Sequence, residues 1–233
     1  MAATDQTQLT ADEVIDKHLA AMGGRDAIAK LTSRRSTGTV TVSTPNGDLS
    51  GPVEILTKAP NKTRFKVELD LTPAGVNQKM TVEQKFDGVA GWMLDSMQGD
   101  RQITGNQLEN MKNNVFPSPL LNYKAAGTKV EVQPRETVDG KSLIVLLVTP
   151  KAGSATRLYF DPDTFLLART KATVNTPEMG DLEQLVVFSD YRTQDGLKLP
   201  FQWINTNPAQ SITFKMDKVE HNVAIDDAVF VVK

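Results

Sequence analysis

From Ser36 onward apolar and polar side chains alternate with a period of two for most of the chain, and this regularity restricts the fold more than any other feature. Thr63, Phe65, Val67, Leu69 and Leu71 alternate with Arg64, Lys66, Glu68 and Asp70, so an extended strand there has one apolar and one charged face. Val40 and Val42 alternate with threonines, and Val53, Ile55 and Thr57 continue on a returning strand. Met80, Val82 and Phe86 form the next strand, and Trp92 and Leu94 the one beyond. Two turn signatures punctuate the pattern. Phe86-Asp87-Gly88-Val89-Ala90-Gly91-Trp92, and Asp190-Tyr191-Arg192 running through Gly196-Leu197-Lys198-Leu199-Pro200-Phe201, each set a glycine turn between apolar residues.

Further strands are expected over 129–138, 143–148, 157–160, 165–174, 182–191, 197–205 and 212–219. Sequential antiparallel hairpins, about ten or eleven strands in all, curl into a barrel or half-barrel. The expected class is mainly β (α+β), a curved antiparallel sheet covered by helices that enclose an apolar space. Thr10 and Glu13 have the spacing of a capping box, followed by Val14, Ile15, Leu19 and Met22 at helical spacing and a Gly23-Gly24 stop. A second short helix is expected from Asp26 to Leu31. Gln107 to Lys112 reads as helix before Pro117 and Pro119 interrupt it. The organisation expected is one domain over 1–233, with 1–9 disordered, N-terminal helices in 10–31 and a helical insertion in 105–126.

The 233 residues include 26 basic and 28 acidic side chains, dispersed without runs of one sign, which argues against nucleic acid as a partner. No window approaches the roughly 18 apolar residues of a membrane-spanning helix. With no cysteine, disulfides, thiolate metal sites and cysteine nucleophiles are excluded. His18 and His221 are the only histidines, too few for a shared metal site, and no Gly-x-Ser-x-Gly elbow or glycine-rich phosphate loop is present. Asp161-Pro162-Asp163-Thr164 reads as a turn. The expectation is therefore a protein without cofactor, metal or catalytic residues. The first residues lack a basic and an apolar leader region. The chain is then either cytoplasmic or one whose export signal, together with any lipid-bearing cysteine, was replaced ahead of Met1.

Aromatic residues at alternating positions, Phe65, Phe86, Trp92, Phe188, Phe201 and Trp203, are expected on the apolar face, as core or as walls of a cavity. Methionines add adaptable apolar surface. The candidate ligand-binding set is Phe65, Val67, Leu69, Met80, Val82, Phe86, Trp92 and Leu94, joined by Met111 and Phe116 from the insertion.

Val14-Ile15-Asp16-Lys17-His18-Leu19 with Ala21-Met22-Gly23-Gly24 resembles the start of bacterial exported proteins related to the LolA/LolB lipoprotein carriers. Phe86-Asp87-Gly88 with Gly91-Trp92 and Tyr159-Phe160-Asp161 with Thr164 and Leu166 extend the resemblance. Asp190-Tyr191-Arg192 with Gly196, Lys198, Leu199 and Pro200, and a closing Asn222, Ile225, Asp226 and Phe230, carry it to the end of the chain. The resemblance implies an unclosed antiparallel barrel, plugged by helices, whose apolar cavity holds acyl chains without catalysis. It also implies a periplasmic location, a monomer, a lipid or acylated protein as partner, and membrane-associated donor or acceptor proteins. Two other readings are an interaction module with a self-filled core and an enzyme built from dispersed acidic residues.

Overall fold

In a computed structural model, which describes residues 9–44, 47–176, 180–208 and 210–232, the alternating segments pair into one antiparallel sheet of thirteen strands. The first half contributes β1 (Ser33–Thr44), β2 (Gly47–Lys58), β3 (Lys62–Asp70), β4 (Lys79–Phe86), β5 (Gly91–Asp95) and β6 (Arg101–Ile103). The second contributes β7 (Lys129–Val138), β8 (Lys141–Thr149), β9 (Thr156–Phe160), β10 (Leu167–Thr176), β11 (Gly180–Gln194), β12 (Leu197–Asn207) and β13 (Gln210–His221). The count exceeds the expected ten or eleven; β6, with three residues, is too short to show a period.

The spatial order is β6-β5-β4-β3-β2-β1-β13-β12-β11-β10-β9-β8-β7. Two meanders are thus joined by pairing the first strand with the last, and β6 and β7 remain as separate edges, so the barrel is unclosed. Sequence-local hairpins account for every pairing except β1 with β13. Glycine permits the sheet to curl where strands crowd. A Cβ on Gly38 would fall 2.0 Å from the Lys215 carbonyl oxygen, and one on Gly51 would fall 1.7 Å from that of Glu68.

The helices cover one face. In α1 (Ala11–Ala21) the Thr10 backbone N–H and hydroxyl donate to the Glu13 carboxylate at 2.7 and 2.8 Å, and the Glu13 N–H donates back to the Thr10 hydroxyl at 3.3 Å. The capping box therefore forms as the spacing requires. Val14, Ile15 and Leu19 from α1 and Ile28 from α2 (Arg25–Ala29) are buried against Val40, Val53, Val67, Leu146, Phe160 and Phe214 of the sheet. Each such side chain contributes roughly 1.5–3 kcal/mol on leaving water. Residues 1–8, expected to be disordered, lie outside the described residues, whereas Leu9 packs on this core.

The opposite face carries charge. Arg35 and Arg64 reach Glu54 at 2.8 and 2.9 Å, and Arg64 also pairs with Glu83, which makes a half-buried ladder across β1 to β4. The chain leaves the sheet at edge β6 and re-enters at edge β7, so residues 104–128 must cross from one rim to the other. This crossing begins with α3 (Gly105–Asn113) and continues through the proline-interrupted stretch. Its Phe116 and Leu120 join the core beneath the helices.

Candidate functional site

The crossing segment spans the concave face without filling it. A cavity of about 700 Å³ lies between α1, the crossing segment and strands β8 to β12. Its walls include Val148, Leu158, Leu167, Val186 and Phe188 from the sheet, Met22 from the end of α1, and Leu120 from the crossing segment. Further along β10 from Leu167 the lining residues are Thr170, Ala172 and Val174. These are small side chains at alternate positions, and they leave room where larger ones would have closed the core. A second cavity of about 380 Å³ continues toward β1 and β2, and both are lined by Arg34, Asn114, Pro117, Pro119, Phe188, Leu199 and Pro200. Cavities of these sizes are in the range that holds small apolar ligands.

The elements around the larger cavity are tied by polar contacts. Asn110 of α3 accepts the Ser154 backbone N–H at 2.7 Å, and Asn113 donates to the Ala152 carbonyl at 2.6 Å, which clamps α3 to the loop between β8 and β9. Tyr191 donates its hydroxyl to the Leu167 carbonyl at 2.7 Å, and burial pushes its pKa up, so it stays a neutral donor. His18, on α1, faces the seam with the sheet. Its Nδ1 lies 2.9 Å from the Phe165 carbonyl oxygen and its ring meets Phe160 edge-on at 5.0 Å. Burial pushes the imidazole pKa down, with a smaller opposing effect from that carbonyl, so the ring is neutral and Nδ1 carries the donated proton.

Phe165 has φ 56°, a left-handed conformation that a bulky residue adopts only under constraint. The constraint is visible. Phe165 donates its N–H to the Asp161 carbonyl at 2.9 Å, and Asp161 Oδ1 accepts the N–H groups of Asp163 and Thr164 at 2.9 and 3.0 Å. Asp161 to Thr164 is thus the turn that its composition indicated.

One charged side chain enters the cavities. Arg34, on β1, is the only Asp, Glu, Lys or Arg among the residues lining either of them. Its guanidinium lies 5.3 Å from the centre of the Phe116 ring, and its Nε is buried with no hydrogen-bond partner. Burial pushes its pKa down to about 10, which leaves it charged at neutral pH. An aromatic cluster adjoins the smaller cavity through Trp203. Trp203 stacks on Phe214 at 5.2 Å, and Phe65 meets Phe214 edge-on at 5.9 Å.

The structure separates the ten residues selected from the sequence. Phe116 lines the smaller cavity. Phe65, Val67, Leu69, Met80 and Val82 share one face of β3 and β4, where Val67 and Leu69 are buried core and Phe65 and Met80 pack against it. Phe86 is fully buried on the same face. Met111 reaches this face from α3, its Sδ 3.6 Å from Gln84 Nε2, and glycine at position 91 leaves room for it.

Trp92 and Leu94 depart from the expectation. The register sets Trp92 opposite Lys85 and Leu94 opposite Glu83, on the charged face. Phe86 pairs with Gly91, so Gly91 takes the inward position and every second residue after it follows, leaving Trp92 and Leu94 outward. The cavity walls come mainly from β8 to β12 instead, through residues such as Leu158, Ala172, Val186 and Phe188. Their signal was present as alternation with small and polar members, Gln184-Val186-Phe188 and Thr170-Ala172-Val174, a pattern too polar for a filled core. Arg34 left no signal, because alternation did not reveal which face of β1 it occupies.

Neither a known family model nor a curated protein matches the sequence. Solved structures do. A DUF1329 family protein from Desulfovibrio piger superposes with a TM-score of 0.59 at 17% identity, covering 94% of this chain and 96% of that one. A putative outer membrane lipoprotein-sorting protein domain from Vibrio parahaemolyticus has a TM-score of 0.59 at 10% identity, covering 94% of each chain. A LolA superfamily protein from Nitrosomonas europaea has a TM-score of 0.59 at 12% identity, covering 97% of this chain and 99% of that one. These superpositions show that the chain has a LolA-like fold.

Proposed function

We propose that this protein binds and carries acyl chains, of a lipid or of an acylated protein, in the cavity between its sheet and its helices. The observation that carries the reading is the cavity of about 700 Å³ with aliphatic and aromatic walls, on the face that the crossing segment spans. Each methylene moved there from water is worth about 0.8 kcal/mol, so a long chain gains enough to outweigh the cost of association. Binding is non-covalent and involves no chemical step. The likeness to a putative lipoprotein-sorting domain supports the same reading.

A carrier of this kind works between membranes, which makes the periplasm its place and membrane-bound donors or acceptors its partners. It acts as a monomer in one domain. Within the residues selected from the sequence, Phe116 is the one we retain as a direct contact, with Leu158, Val186 and Phe188 added from the second half of the sheet. Native mass spectrometry of protein purified from a periplasmic extract, followed by delipidation and titration with a fluorescent fatty acid, tests the proposal. Bound lipid in the first measurement and saturable one-to-one binding in the second are expected. Failure of both overturns it.

A further inference from the structure

Among the described residues, four buried side-chain nitrogen or oxygen atoms have no hydrogen-bond partner, and three of them lie side by side. Thr57 Oγ1, Arg34 Nε and His221 Nε2 belong to residues paired directly across β2, β1 and β13. Thr63 on β3, opposite Thr57, extends the row to a fourth strand. Arg34, Thr57 and Thr63, together with Ser36 one pleat away, line one end of the smaller cavity. Its other walls are Ile55, Phe116, Leu199, Trp203 and similar apolar residues.

Arg34 is half-buried with its Nε enclosed, and enclosing a guanidinium without a carboxylate is costly unless an anion meets it. Arg34 has no ion pair and no hydrogen bond among the described residues, and no acidic side chain lines either cavity to supply one. His221 does not serve as the counter-charge. An imidazole is neutral or cationic and cannot offset a cation; its Nδ1 is engaged by Asp195 at 2.9 Å, and burial pushes its pKa down against that contact, with a smaller push in the same direction from Arg34. The groups lining the smaller cavity that can donate are the Arg34 guanidinium, the hydroxyls of Ser36, Thr57 and Thr63, the Asn114 amide and the Trp203 indole N–H. A fork of N–H groups with hydroxyls around it matches a carboxylate or a phosphate.

We propose that Arg34, with Thr57 beside it, binds the anionic head group, carboxylate or phosphate, of a single-chain amphiphile whose acyl tail runs into the larger cavity. The inference rests on the acyl-carrier reading above and narrows it to acidic ligands. The two cavities share Arg34, Asn114 and Phe188, so a head at one end and a tail at the other occupy continuous space. Phe116, whose ring covers the guanidinium, belongs to the crossing segment, so the head group is held beneath that segment.

The test compares palmitate, hexadecyl phosphate and hexadecanol, each displacing a fluorescent acyl probe, and adds calorimetry with inorganic phosphate alone. The two acidic ligands are expected to bind at least about tenfold more tightly than the alcohol, the scale of one charge-assisted contact. Arg34→Met is expected to bring that ratio close to one. Its thermal midpoint without ligand should equal or exceed that of the parent, because an unpaired, half-buried charge is removed. Thr57→Val, which leaves the charge in place, should lower the ratio by a smaller factor and serves if Arg34→Met does not fold. Equal affinity for acid and alcohol, or a ratio that survives both substitutions, overturns the head-group inference and leaves the carrier reading standing. Inorganic phosphate binding as tightly as hexadecyl phosphate overturns it in favour of a free anion. Absence of binding by all three amphiphiles removes the carrier reading and the inference with it.

Discussion

Single residues decide how this protein responds to acid. His18 is neutral and buried against Phe160, with a pKa held below its ordinary value of 6.5 by burial. The unfolded chain therefore takes up this proton first. Stability is full above about pH 6.5 and declines as pH falls below it. Thermal midpoints measured from pH 7.5 to 5 should fall, and His18→Gln, which keeps a donor for the Phe165 carbonyl, should flatten the fall. His221 is depressed in the same direction, so a residual slope is expected in that variant. Thr10→Ala, which removes the side-chain half of the capping box, should cost about 0.5–2 kcal/mol in chemical denaturation. Leu146→Ala, at a fully buried position, should cost about 2–5 kcal/mol.

Secondary-structure elements are held by contacts distant in sequence. The 3₁₀ turn Asp227–Phe230 lies against β3 and β4, and Asp227 pairs with Lys58 at 2.8 Å and Lys62 at 2.7 Å. These lysines push the Asp227 pKa down from 3.8 to about 2. Its contribution is present above about pH 3.8 and lost as pH falls through 2. Protection of the 227–230 amides, taken relative to their intrinsic exchange rates, should fall over that interval and on addition of salt, since these charges are exposed and screened. Asn110 governs another attachment, the clamp of α3 onto the β8–β9 loop. Asn110→Ala removes two hydrogen bonds, to the backbone and the hydroxyl of Ser154. It should speed release of a fluorescent fatty acid several-fold in stopped-flow measurements while the sheet's melting changes little. An unchanged release rate would mean that α3 does not gate the cavity.

Across the whole molecule, strand existence, the capping box and the helical crossing were legible because each depends on residues a few positions apart. Thr10 meets Glu13 within one turn, and Phe65 to Leu71 expose their two faces through the pleat alone. The cavity was not legible in the same way. Phe65, Val67 and Leu69 have the stronger apolar signature, and for that reason they pack solidly; the space opened instead where Thr170 and Ala172 are small. Substituting volume there tests this directly: Ala172→Leu should fill the larger cavity and weaken fatty-acid binding at least about tenfold with a small change in stability. Trp92 shows the complementary limit, since its inward or outward position depended on the register with β4 and not on its own hydrophobicity.

Local pattern was sufficient for the class of fold, because a period of two and turn chemistry act between near neighbours. Pairing β1 with β13 joins residues nearly two hundred positions apart, and nothing in either strand alone names its partner. That closure in space brings Arg34, Thr57 and His221 into one row and opens the cavity beside them. The meaning of Arg34 therefore came from what surrounds it after folding, where a half-buried guanidinium with an enclosed, unpartnered Nε faces an apolar cavity.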